Sequence, residues 1–355
     1  MNDLTEKIFQ LARPNVRTLK PYSSARDEYK IGSAVAATVF LDANENSLGG
    51  PLDADYARYP DPQQTPLKRA IGQLKNLDAT QIFLGNGSDE AIDLLFRAFC
   101  EPGRDNAVLL PPTYGMYAVQ ANIHGAELRR APLRPDFSPD AAAVRAVTDA
   151  HSKLLFICSP NNPTGQCLSD DFVLEMLAFF PGLVVVDEAY ADFSGRPSWS
   201  ARLGEFPNLV VLQTLSKAWG LAGLRVGMAF SNPLVINLLN KIKYPYNLNQ
   251  PTIELATEAL QKKATMLGKV AILLAERARL EAELPRLACV EKVFPSDANF
   301  LLVRVSDADA IYQFLAERGI VVRNRSREPH CENCLRITIG RPAENEQLIK
   351  FLRRF

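Results

Sequence analysis

The stretch Thr214-Leu-Ser-Lys-Ala-Trp-Gly-Leu-Ala-Gly-Leu-Arg-Val-Gly227 sets one lysine directly after two hydroxyl residues and follows it, eight residues on, with an arginine. A lysine amine is a nucleophile that can condense with an aldehyde to a Schiff base. Thr214, Ser216 and the guanidinium of Arg225 are suited to meeting a phosphate, with the arginine able to grip it through two N–H groups at once. The stretch therefore reads as a device for holding a phosphorylated aldehyde covalently at Lys217.

Working outward, Leu183-Val-Val-Val186 reads as a buried parallel strand that delivers Asp187 and, three residues later, Tyr190 to its carboxyl edge. Leu154-Leu-Phe-Ile-Cys158 runs likewise into the polar turn Ser159-Pro-Asn-Asn-Pro-Thr-Gly165. Ligands of open α/β sheets bind at that edge, so neighbouring strands would bring Asn162, Asp187 and Lys217 to one place. Each residue type suits pyridoxal 5'-phosphate (PLP). A carboxylate, Asp187, keeps the pyridine nitrogen protonated so that the ring can accept electrons. A phenol and an amide, Tyr190 and Asn162, steady the ring oxygen, and the freed Lys217 amine serves as proton carrier.

Gly85-Asn-Gly-Ser-Asp-Glu90 precedes a helical pattern with Ile92, Leu95, Phe96 and Phe99 on one face. Ser88 reads as its N-cap, Asp89 and Glu90 as first-turn acids, and the free N–H groups as an anion site. Tyr114, in Pro111-Pro-Thr-Tyr-Gly115, is placed to stack on a ring.

These segments, in order, resemble the fold type I PLP-dependent aminotransferases, and within them those that act on histidinol phosphate. The likeness also takes in Asn15 to Tyr22, Leu41-Asp-Ala-Asn-Glu45, Arg58-Tyr-Pro-Asp-Pro62 and Cys334-Leu-Arg-Ile-Thr-Ile-Gly340, and so covers nearly the whole chain. It implies an α/β fold: a large domain with a mostly parallel seven-stranded sheet flanked by helices, and a small α+β domain. The implied division is an arm over 1–45, a large PLP-binding domain over 46–245 and a small domain over 246–355. It makes Lys217 the Schiff-base lysine and Asp187, Tyr190, Asn162 and Tyr114 the ring partners. Ser88, Asp89, Thr214, Ser216 and Arg225 become the phosphate cup, and Tyr59 reaches the cofactor of a partner subunit, so a homodimer shares its sites. Substrate binding falls to Tyr22, Asn44, Arg323 and Arg336, with no metal. Amino transfer between histidinol phosphate and glutamate or 2-oxoglutarate is the implied activity. Transamination of aromatic amino acids, decarboxylation of threonine phosphate and a non-catalytic effector domain are the alternatives.

Bulk properties set limits on these readings. The 355 residues suffice for a sizeable core, and 40 basic against 40 acidic side chains leave no excess to recommend nucleic acid. No apolar stretch is long enough for a bilayer and the polar start lacks a signal peptide's apolar core, so the expectation is a cytoplasmic enzyme. The six cysteines are scattered apart from Cys331 and Cys334, which read as loop thiols, and the three histidines read as surface or packing residues.

Apolar runs at 107–110, 154–158, 183–186, 209–212 and 226–230 alternate with helical patterns, as a mostly parallel sheet requires. Downstream, a helical tract broken at Tyr244-Pro-Tyr246 and Gln250-Pro251 leads to strands at 299–305, 320–323 and 335–339 and a last helix through Leu348 and Leu352.

Overall fold

A computed structural model describes residues 3–21 and 39–355. Seven strands form the principal sheet: β1 (Ile82–Asn86), β2 (Asn106–Leu109), β3 (Glu127–Arg130), β4 (Ser152–Cys158), β5 (Leu183–Asp187), β6 (Leu209–Thr214) and β7 (Val226–Ser231). Their spatial order is β1-β7-β6-β5-β4-β2-β3. The strands from β3 across to β6 are parallel, and β7 runs antiparallel to both its neighbours. Five of the seven are the apolar runs of the sequence. The other two are β1, whose apolar run stops at Gly85, and β3, a polar edge strand without a buried residue.

Alternate residues of the central strands feed two apolar layers, one on each face of the sheet. Leu155, Ile157, Val184 and Val186 join one layer with the helices Thr65–Lys75, Asp170–Phe179 and Gln250–Leu260. Leu154, Phe156, Leu183 and Val185 join the other with the helices Ser88–Phe99, Met116–Ile123 and Pro233–Ile242. Burial on both faces is why these strands are continuously apolar. Ile8, Ala12 and Val16, from the N-terminal segment, pack onto the second layer.

The connectivity collects chemistry at one edge. Asp187, the last residue of β5, lies in register with Cys158 of β4 and Leu212 of β6. Because β7 is antiparallel, its start sits beside the end of β6, with Gly227 opposite Thr214, and beside the end of β1, with Val226 opposite Asn86.

A second sheet comprises β8 (Val290–Val293), β9 (Phe300–Val305), β10 (Arg323–Asn324) and β11 (Cys334–Thr338), ordered β10-β11-β9-β8 and antiparallel throughout. Its outer face packs Leu335 and Ile337 with Leu280, Ile311 and Leu348 from three helices. Its inner face turns Cys334 and Leu302 into the core of the large sheet.

Three local expectations change. Gln250-Pro251 opens a helix rather than breaking one: Pro251 occupies the first turn, and Asn249 caps it by accepting from Thr252 N at 2.9 Å. The strand expected at 320–323 is confined to Arg323–Asn324, with β8 added on the far edge. Cys331 does lie in a loop, but Cys334 is the first residue of β11 rather than a loop thiol, and both are fully buried in the core on the large sheet's side. Among the described residues, no helix is long and apolar enough to cross a membrane.

Candidate active site

At the carboxyl edge of the large sheet lies a cavity of about 160 Å³. Ser88, Asp89, Tyr114, Asn162, Asp187, Tyr190, Thr214, Ser216, Lys217 and Arg225 all line it. Strand order brings together residues that are up to 137 positions apart in the chain, from Ser88 to Arg225.

Asp187 forms the floor and is 2% exposed. It accepts from the Tyr117 hydroxyl at 2.6 Å and from Ala189 N at 3.0 Å. Burial pushes its carboxyl above the ordinary range, while the Tyr117 bond works the other way. An acid so placed is stabilised as an anion by any cation brought over it. Tyr117 is fully buried and stacks on Phe156 at 4.5 Å between centroids. The sequence alone assigns this tyrosine no role, and Cys158, which also lines the cavity, is legible there only as the end of a strand.

Lys217 follows β6 at the cavity's side, its Nζ 5.6 Å from the centroid of the Tyr190 ring. Burial, then the charge of Arg336, lowers its proton affinity, so more of the amine is neutral and nucleophilic at a given pH. Tyr190 stands edge-on to Phe300 at 5.1 Å, and burial raises its phenol. Asn162 accepts a short hydrogen bond from Arg336 Nη1. The Nε of Arg336 is buried and has no partner among the described residues.

The third wall is a cup of donors. The N-cap of helix Ser88–Phe99 is Gly87, at φ +81°, and Ser88 is the first helical residue rather than the cap. Gly87 N donates to Arg225 O at 2.7 Å, tying the helix start to the loop after Lys217. The approach is so close that a Cβ on Gly227 would overlap the backbone of Gly87 and Ser88. The Thr214 and Ser216 hydroxyls are 2.9 Å apart, and Ser216 N donates to Thr214 Oγ1 at 3.1 Å. Asp89 faces inward: it accepts from Tyr114 OH at 3.0 Å and lies 3.9 Å from Arg225 Nη2. Helix-start N–H groups, two hydroxyls and a guanidinium form an anion site.

Other residues singled out from the sequence stand apart from this cavity. Tyr59 is half exposed and stacks on Tyr246 at 4.6 Å, while the neighbouring Glu45 accepts from Tyr59 N and Arg58. Asn44 is exposed, with φ +55°. Arg323 is exposed and lies opposite Arg336 in the small sheet. Tyr22 lies outside the described residues.

The family model for aminotransferase class I and II matches residues 47–352. The chain belongs to that family. As an aminotransferase it is 54% identical to the histidinol-phosphate aminotransferase of Parabacteroides distasonis over 99% of both chains. It is 52% identical to that of Bacteroides fragilis over 98% of both. Among solved structures, the histidinol-phosphate aminotransferase from Sinorhizobium meliloti in complex with pyridoxal-5'-phosphate matches with a TM-score of 0.77 at 24% identity, over 88% of this chain and 89% of that one.

Proposed function

We propose that this aminotransferase uses PLP to move an amino group between L-histidinol phosphate and 2-oxoglutarate, giving imidazole-acetol phosphate and L-glutamate, in histidine biosynthesis. The observation that carries the reading is the convergence of Lys217, Asp187 and the Arg225 cup on one cavity, in a chain half identical to histidinol-phosphate aminotransferases along its whole length. The cavity fits the cofactor: a buried acid waits for a cation at one end, and donors suited to a phosphate line the other.

When bound, PLP supplies an aldehyde that bonds amines and a ring that withdraws electrons from the adjoining carbon. Lys217 would hold it covalently and then, displaced by substrate, carry a proton at Nζ between the substrate's α carbon and the cofactor's aldehyde carbon. Asp187 would keep the ring nitrogen protonated, its own charge sustained by Tyr117. Tyr190 and Asn162 would hold the ring oxygen and Tyr114 would pack on the ring. Ser88, Asp89, Thr214, Ser216 and Arg225 would form the phosphate cup, with backbone N–H groups rather than the Asp89 carboxylate meeting the anion. Arg336, with its unpartnered Nε, would bind the anionic end of either substrate, aided by Arg323, Tyr22 and, at the imidazole, Asn44.

The same reading makes the protein a cytoplasmic homodimer in which Tyr59 serves the partner's cofactor. Leu41, Leu48 and Leu52 around that segment are strongly exposed in the single chain, which is consistent with a covering partner. It also divides the chain into an arm over 1–45, a large unit over 46–245 and a small unit over 246–355. Mixing the PLP-loaded protein with histidinol phosphate and 2-oxoglutarate should yield glutamate. Preference for an aromatic amino acid, or carbon dioxide release from threonine phosphate, would overturn the substrate assignment.

A further inference from the structure

The small sheet carries a further arginine, Arg325, close to the site. Arg336 of β11 faces the active site, and Arg323 of β10 is its register partner, so both side chains leave the sheet on the same face. The ladder runs one step further, with Arg325 N donating to Cys334 O at 2.8 Å. Side chains alternate along a strand, so Arg325 shares the face of Arg323. The intervening Asn324 points the other way, donating to Asp309 Oδ1 at 2.6 Å on helix Ala308–Ala316. Three guanidinium groups therefore stand on one side of one sheet edge.

None of the three is neutralised among the described residues. Arg325 makes no side-chain hydrogen bond or ion pair there, and its Nε is buried without a partner. The Nε of Arg336 is in the same state. A buried donor left open costs stability, so a cluster of them with surplus positive charge marks a place for an anion. Arg325 also stands near enough to Arg336 and Tyr190 to reinforce, after burial, the lowered proton affinity of the first and to oppose the burial-raised phenol of the second.

We propose that Arg325 binds the phosphate of the phosphorylated substrate and is the residue that separates a phosphate dianion from a carboxylate at this site. The inference rests on the reading of the function given above. A carboxylate attached directly to the reacting carbon is one charge held close, within the span of Arg336. A phosphate on a CH₂–O link sits two bonds further out, is dianionic and offers three acceptor oxygens, more than one planar guanidinium can satisfy. Arg325, beside Arg336 on the same face, supplies the additional donors.

The test uses the PLP-loaded, full-length protein and its Arg325→Gln and Arg325→Lys variants, following the cofactor's absorbance in each half reaction separately. Inorganic phosphate is titrated as a competitor of glutamate. For Arg325→Gln, half-saturation for histidinol phosphate and the inhibition constant of inorganic phosphate should both rise about 10- to 100-fold, while glutamate half-saturation rises about 3-fold at most. Arg325→Lys should recover part of the loss. Equal losses for glutamate and the phosphates, or no loss for the phosphates, would overturn the proposal. If the wild type does not act on histidinol phosphate, the functional reading fails, but the competition by inorganic phosphate against glutamate still decides the role of Arg325.

Discussion

Lys217 is poised by its surroundings more than by its neighbours in sequence. Burial and then the positive charge of Arg336 disfavour its ammonium form, while Asp187 and Asp89 favour it. Since the depressed value means a larger neutral fraction below the ordinary lysine range, the apoprotein should capture PLP at lower pH than free lysine does. Arg336→Gln removes one depressing charge and leaves burial in place. The pH of half-maximal capture, followed by absorbance, should therefore move upward; a downward or absent shift would contradict this account of the amine. That Asp187, Tyr190 and Asn162 line one cavity is legible in the sequence because polar residues at the ends of apolar strands have few other reasons to be there, and Lys217 and Arg225 are legible from the hydroxyls and the spacing that join them. Tyr117 is not. It sits one residue into a helix, fully buried against Phe156, where an aromatic reads as core, and only the fold brings its hydroxyl to Asp187.

The cup proposed for the phosphate is a property of elements rather than side chains. The start of helix Ser88–Phe99 is pressed against the first residues of β7, so that Gly227 has no room for a side chain. Gly227→Ala would drive its Cβ into the backbone of Gly87 and Ser88, which cannot yield as a side-chain tip could. We expect a stability loss of about 3 kcal/mol, at the upper end for overpacking, with PLP affinity falling alongside. Denaturant melts of the apoprotein and PLP titration check this; wild-type values in both would contradict it. The central strands were legible because burial on both faces makes them uniformly apolar. The edge elements were not: β3 exposes its residues, β8 is partly exposed, and β10 pairs for only two residues. Pro251 misled for a related reason, since a proline that ends one helix and a proline that starts another differ only in the cap before them, here Asn249.

At the scale of the whole molecule, two sheets meet with the cavity beside their contact. The large one carries the residues proposed to hold the cofactor, and the small one turns β11 inward so that Arg336 reaches Asn162. The sequence held the residues of both but not the face each strand would present, which depends on register. Tyr59 remains apart from its own chain's cavity, consistent with the proposal that it completes a partner's. Sedimentation should give twice the chain mass. In that dimer, Tyr59→Phe should weaken PLP retention by about 1 kcal/mol, the loss of one hydrogen bond. A fully active monomer would exclude the shared site.

The proposed chemistry depends most on a covalent bond between the cofactor and one lysine. Reducing the PLP-loaded protein with borohydride, digesting it and locating the pyridoxyl mass by peptide sequencing tests that bond directly. The label is expected on Lys217 alone, with the visible absorbance bleached in step. A pyridoxyl group on another lysine, or none on the reduced protein, would contradict it.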